Sequence, residues 1–264
     1  MMLAAVDVAF GYRGAPVGRG VTCAVAAGEV LCLLGPNGGG KTTLLKTLLG
    51  LIPAQGGAIT IDGQALAGFS RPDLARRLGY VPQAHNAFFP FTVRDVVLMG
   101  RAARVGLFSA PSARDRDAAH AALHTLGIDH LADRTYTTIS GGERQMALIA
   151  RALAQEPAIL VMDEPTANLD FGNQTRVLEQ IGRLAAQGLG ILLSTHDPDH
   201  AFACADRVAL LQGGHLIALG LPRETLTADM LRRLYGVDVA VTYLTDVGRY
   251  VCTPSFNRSR GKTI

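Results

Sequence analysis

The chain has 264 residues, 48% of them hydrophobic and 18% charged, enough to bury a core and to exclude a chain disordered throughout. Its 25 basic and 22 acidic side chains leave a net charge of +3, too mild to argue for nucleic acid as the partner. The 30 glycines and 12 prolines follow no period, which removes collagen-like and low-complexity readings.

The opening MMLAAVDVAFGYRG lacks a basic n-region and a long apolar core, so no signal peptide is expected. Residues 3–10 alternate loosely as a strand, and residues 20–26 suggest another. Residues 30–34 form an apolar run ending at Gly35, as a buried strand does. A glycine-rich loop follows, then a helical pattern over 41–49 that Gly50 stops. Residues 58–62 read as an edge strand. From 92 to about 131 the pattern is helical; residues 108–111 break it, and Ser112 is placed to cap the next helix. Ser140 opens a further helix that ends near Gln155, ahead of Pro157. Residues 158–163 and 190–195 are β-like, with a helix near 172–187 between them. Gly213-Gly214 separates two β-like runs, 207–211 and 215–219, and signals a hairpin. Residues 226–235 make a last helix, and the basic, aperiodic stretch 253–264 is expected to be mobile. No apolar run approaches the roughly 20 residues that span a bilayer. Cys23, Cys32, Cys204 and Cys252 form no Cys-x-x-Cys pair, so reduced thiols and a cytosolic setting are expected.

Gly35-Pro36-Asn37-Gly38-Gly39-Gly40-Lys41-Thr42 matches G-x-x-x-x-G-K-[ST] between a strand and a helix. Glycines let successive N–H groups turn toward an anion, and the helix aims its positive end at the same point. Lys41 supplies a charge for the β- and γ-phosphates, and Thr42 a hydroxyl for Mg²⁺. Ala158-Ile159-Leu160-Val161-Met162-Asp163-Glu164 is an apolar strand ending in two acids. Neighbours on a strand point to opposite faces, so the chain must turn at Glu164-Pro165 for both acids to reach one site. Asp163 then suits Mg²⁺ and Glu164 suits polarising the attacking water.

Five further stretches complete a pattern. Ile139-Ser140-Gly141-Gly142-Glu143-Arg144-Gln145 is similar to the Leu-Ser-Gly-Gly-Gln signature of the ATP-binding-cassette ATPases. Gln83 stands at the Q-loop position, Asn168-Leu169-Asp170 at the D-loop, His196 at the switch histidine, and Tyr12 where the family stacks an aromatic ring on adenine. The chain therefore resembles that family over about residues 3–235. The resemblance implies an α/β P-loop NTPase core, a mixed, mainly parallel sheet flanked by helices. It adds an N-terminal antiparallel β-subdomain and a helical signature subdomain. The expected division is an ATPase domain over 1–240, with the helical subdomain inserted at about 84–157, and an extension over 241–264.

The resemblance also implies roles. ATP is bound by Tyr12, by residues 35–41 and by Thr42 and Thr43. Mg²⁺ is held by Thr42 and Asp163, and Gln83 senses it and the attacking water. His196 steadies the γ-phosphate. Ser140, Gly141 and Gly142, with the D-loop Asp170, complete the ATP site of a second subunit, so a head-to-tail homodimer is expected. Two departures stand out: Gly39 where serine is common, and Glu143 where glutamine is. Glu143 is tolerable if it faces away from the γ-phosphate or pairs with a neighbour such as Arg144.

The implied activity is ATP hydrolysis that drives import through a separate transmembrane permease, with a substrate-binding protein acting through that permease. The subunit would lie at the cytoplasmic face of the inner membrane. The apolar cluster Phe88, Phe89, Pro90 and Phe91 is the expected permease-docking surface. The stretch from Thr92 through Arg101 to about Ala118, with Leu234-Tyr235-Gly236-Val237-Asp238-Val239, is similar to the subgroup importing metal chelates (iron–siderophore, haem, cobalamin), with molybdate and tungstate relatives. A cassette ATPase acting on nucleic acid or ribosomes is the competing class, but neither tandem cassettes, nor a coiled-coil insertion, nor paired cysteines appear. A non-hydrolysing regulator is opposed by Glu164 and His196. His120, His124 and His130 read as a solvated helix face, and Arg258, Arg260 and Lys262 as solvated charges.

Overall fold

The computed structural model describes residues 1–83, 90–105 and 109–255. In chain order the strands and helices are β1 (Met2–Tyr12), β2 (Ala15–Ala26), β3 (Val30–Leu34), α1 (Lys41–Leu48), β4 (Gly56–Ile61), β5 (Gln64–Ala65), α2 (Arg71–Arg77), β6 (Leu78–Val81), α3 (Val93–Leu98), α4 (Ala113–Thr125), α5 (Gly141–Ala154), β7 (Ile159–Asp163), α6 (Phe171–Ala186), β8 (Gly190–Thr195), α7 (Pro198–Cys204), β9 (Arg207–Gln212), β10 (His215–Gly220), α8 (Pro222–Thr225), α9 (Ala228–Tyr235), β11 (Val239–Leu244) and β12 (Arg249–Pro254).

The central sheet has the order β10-β9-β3-β8-β7-β6, parallel except for its edge strand β10. Every residue of β3, β7 and β8 is buried, which is why these strands read as unbroken apolar runs. The period of two then sorts their side chains. Leu31 and Leu33 face a core made with α1 and the antiparallel sheet β2-β1-β4-β5, where Leu44, Leu45, Leu48, Phe10 and Val21 pack. Val30, Cys32 and Leu34 face the opposite core, with Ile181 and Leu184 of α6 and the helical subdomain's Val96, Leu123 and Ile149.

The helical subdomain is α3, α4 and α5. Ser112 caps α4 as its sequence predicts, accepting from Asp115 N–H while the Asp115 carboxylate reaches back. Arg101, 2% exposed, fastens α4 to the end of α5 through Asp115 at 3.0 Å, the Ala154 carbonyl at 2.7 Å and Glu156 at 2.8 Å.

Several expectations need correction. The strand at 58–62 is not an edge: β4 lies between β1 and β5, because the two-residue β5 covers it. Within the helical stretch 92–131, the first helix ends at Leu98 and gives way to a 3₁₀ turn over 99–103, ahead of the expected break. The break at 108–111 begins at Phe108, outside the described residues. The last helix starts at Ala228, since a separate short α8 precedes it. Thr253 and Pro254 belong to β12, which pairs with β11 in a hairpin that the aperiodic reading of the tail did not assign. Residues 256–264, including Arg258, Arg260 and Lys262, lie outside the described part of the chain. Among the described residues, no helix is long and apolar enough to cross a membrane.

Candidate active site

The glycine loop leaves β3 and enters α1. Gly35 N–H donates to the Thr195 carbonyl of β8 at 3.3 Å, and a Cβ on Gly35 would come 2.3 Å from the Leu211 carbonyl oxygen, so a side chain has no room there. Gly40 caps α1 at φ 95, a left-handed conformation that glycine takes freely. The first helical acceptor of α1 is the Gly40 carbonyl, which takes the Leu44 N–H. The N–H groups of Lys41, Thr42 and Thr43 are therefore left without a helical partner, as at any helix start. Lys41 is 4% exposed, and its Nζ donates to the Gly35 carbonyl at 2.8 Å and the Pro36 carbonyl at 3.1 Å.

The chain bends at Glu164, directly after β7 ends at Asp163. Glu164 has φ 46, a strained backbone for a non-glycine residue and a common mark of functional sites. Asp163 is 1% exposed and accepts from the Ser194 hydroxyl at 2.7 Å, while Ser194 Oγ itself accepts the Glu164 N–H at 3.0 Å. Ser194 thus locks the strand end from the neighbouring β8.

Three predicted side chains converge on the Glu164 carboxylate. Lys41 Nζ pairs with Oε1 at 3.1 Å, Gln83 Nε2 donates to Oε2 at 3.2 Å, and His196 Nδ1 lies 3.3 Å from Oε2. Loops after β3, β6, β7 and β8 supply these groups. They cluster beyond the carboxyl ends of a parallel sheet, where open α/β sheets bind ligands.

The remaining predicted residues lie around this centre. Thr42 and Thr43 sit in the first turn of α1, and Asn37, Gly38 and Gly39 complete the loop. Tyr12 ends β1 with half its surface free, and its carbonyl accepts from Gln55 Nε2 at 3.0 Å. Asp170 caps α6, accepting from Asn173 N–H at 2.8 Å, and that bond lowers its pKa. Ser140, Gly141 and Gly142 are not brought to Glu164: among the described residues, none of their hydrogen bonds reaches the glycine loop. They abut the D-loop helix of the same chain instead, since a Cβ on Gly142 would meet Asn173 at 2.3 Å.

Glu143 bonds to Ser140 rather than pairing with Arg144. Its carboxylate folds back onto the Ser140 N–H at 2.7 Å, while Ser140 Oγ accepts the Glu143 N–H, forming a capping box. Bonds from the Ser140 backbone and hydroxyl lower the Glu143 pKa and hold the carboxylate in its charged, capping form.

Three residues without an assigned role also shape the site. Ser194 is one. The others are His200 and Thr166, with His200 Nδ1 3.0 Å from Thr195 Oγ1 and 3.3 Å from Thr166 Oγ1. Burial lowers the His200 pKa and favours the neutral ring that such hydroxyl bonds suit. Polar side chains at the end of apolar strands were the available signal, because a buried hydroxyl needs a partner. His120 and His124 stand exposed on α4, near Asp129 at 3.9 Å and 3.3 Å.

The donors fit a polyphosphate with a hard cation. A glycine cradle, a helix start and a buried ammonium would serve the anion, and a hydroxyl and a carboxylate offer oxygen ligands of the kind Mg²⁺ takes.

Comparison with known proteins adds the following. The ABC transporter family profile matches residues 19–167. The chain is 45% identical over 221 residues to the hemin import ATP-binding protein HmuV of Nocardia farcinica, covering 84% of this chain and 76% of that one. It is 35% identical over 232 residues to the ferric enterobactin transport ATP-binding protein FepC of Escherichia coli, covering 88% and 86%. Among solved structures, an inward-facing ABC transporter attributed to the metal-chelate type superposes with a TM-score of 0.85 at 32% identity, covering 96% of this chain and 97% of that one.

Proposed function

The chain belongs to the ABC transporter family as an ATP-binding subunit of an import system, and from that premise we propose that the Glu164 cluster hydrolyses Mg·ATP to drive uptake of a metal chelate. The carrying observation is the convergence of Lys41, Gln83 and His196 on one strained carboxylate beside a glycine cradle.

In this account the loop amides and Lys41 bind the phosphates, and Tyr12 stacks on the adenine. Thr42 and Asp163 hold Mg²⁺, which supplies neutralising charge to the phosphate oxygens. The anion competes with Glu164 for Lys41. Once that ion pair opens, the Glu164 carboxylate is free to take a proton from water, Gln83 orients that water, and His196 steadies the γ-phosphate. Ser140, Gly141, Gly142 and Asp170 act on the nucleotide of a second copy, so two chains close head to tail over two ATP molecules.

The subunit would sit on the cytoplasmic face of the membrane through its permease. A cleft of about 320 Å³ between the core and the helical subdomain, lined by Leu49, Leu74, Tyr80 and Met99 among others, suits a short permease helix. The earlier candidate for that surface was residues 88–91. Phe88 and Phe89 lie outside the described residues, and Phe91 is 43% exposed. The named functions of HmuV and FepC and the metal-chelate neighbour support a chelated-iron cargo, haem or ferric siderophore, over an oxyanion.

Reconstitution with the permease and binding protein in ATP-loaded liposomes tests this reading. ATP-dependent uptake of haem or a ferric siderophore is expected. Uptake of molybdate alone, or nucleic acid in place of a permease in a membrane pull-down, would contradict it.

A further inference from the structure

Beyond the nucleotide cluster, the C-terminal elements grip the loop that carries His196. Tyr235, the last residue of α9, donates its hydroxyl to the His196 carbonyl at 2.8 Å. The hairpin holds the next turn: Cys252 N–H of β12 donates to Asp199 Oδ1 at 2.7 Å, at the start of α7. Tyr250 of β12 packs its ring 5.8 Å from that of Phe202 in α7.

Tyr235 is itself held firmly. Leu231 and Leu234 bury α9 in the core, Gln212 Nε2 donates to the Arg233 carbonyl at 2.8 Å, and Gly236 ends the helix at φ 72. On its other side the His196 loop is tied by Thr195 Oγ1, which accepts the Asp197 N–H at 3.1 Å. The peptide after His196 therefore has one fixed partner on each flank. The ring of His196 is half-exposed and meets Glu164 at 3.3 Å, so its aim depends on that peptide.

We infer that Tyr235 is a positioning residue for the hydrolytic reaction: its hydroxyl fixes the His196 peptide, and the α9–hairpin unit thereby sets where the histidine ring points. This rests on the reading of His196 as the γ-phosphate contact. The phenol bonds to the His196 carbonyl, so it acts on the reaction through the histidine.

The test is Tyr235→Phe in the full chain, with nucleotide affinity, single-turnover ATP hydrolysis and thermal midpoint measured alone and in a His196→Ala background. Tyr235→Phe is expected to leave ATP affinity within about twofold and to lower the hydrolysis rate about tenfold, the scale of a misplaced catalytic group. In the His196→Ala background the same change should shift the residual rate by less than about twofold. A full rate in Tyr235→Phe while His196→Ala is impaired would overturn the positioning role and leave His196 standing. An equal loss in both backgrounds, with a lowered thermal midpoint, would also overturn it, by making the tyrosine merely structural. A full rate in His196→Ala would remove the parent reading and this inference together.

Discussion

At Glu164, three polar side chains and a strained backbone meet on one carboxylate, and its ion pair with Lys41 makes an immediate prediction. General-base assistance is worth about 10²–10⁴-fold, so Glu164→Gln should bind ATP yet hydrolyse it at least about a hundredfold more slowly. Normal turnover by that variant would remove Glu164 from the reaction. Lys41→Ala should instead lose nucleotide affinity in a binding titration, because the loop then keeps only its amides. Residue by residue, the sequence carried the glycine loop and the acid pair on their own chemistry. Gln83 and His196 were legible only by resemblance, since a lone glutamine or histidine has no pattern. Ser194 was missed because a serine inside an apolar strand shows no partner until β7 and β8 are paired.

Among the elements, α5 explains an apparent anomaly. Glu143 in the signature is a capping-box acceptor, and glutamine has the same reach. Glu143→Gln should therefore leave stability unchanged, whereas Glu143→Ala should cost about 1 kcal/mol in denaturant unfolding. A second prediction concerns the joint between α4 and α5. The Ser112 hydroxyl and backbone, then Arg101, lower the Asp115 pKa from 3.8 to about 2. A carboxyl made more acidic by folding contributes its stability fully above the unfolded value and loses it as pH falls through the folded one. Acid unfolding should thus steepen between about pH 4 and 2, and Asp115→Asn should flatten that limb. Arg101→Met, which strands a buried carboxylate, should cost about 3 kcal/mol in urea titration. The buried strands and capped helices were legible because burial on both faces and N-cap residues leave local marks. The placement of β4 inside its sheet was not, because it depends on a two-residue strand with no pattern of its own.

For the whole molecule, two readings depend on parts that sequence periodicity does not reveal. The β11–β12 hairpin alternates weakly and is largely exposed, so it carries little hydrophobic signal, yet it holds Asp199 at the start of α7, next to the His196 loop that Tyr235 of α9 engages. Among the described residues, Ser140, Gly141 and Gly142 make no hydrogen bond to their own chain's Glu164 cluster, and a second copy is the partner proposed for them. The ATP-dependent sandwich is the claim on which both mechanism and import rest. It is tested most directly by sedimentation of the Glu164→Gln protein with Mg·ATP over a range of concentrations. A nucleotide-dependent shift from monomer to dimer is expected, abolished by replacing Ser140 with a bulky residue. A protein that stays monomeric at every concentration while saturated with ATP would contradict the account.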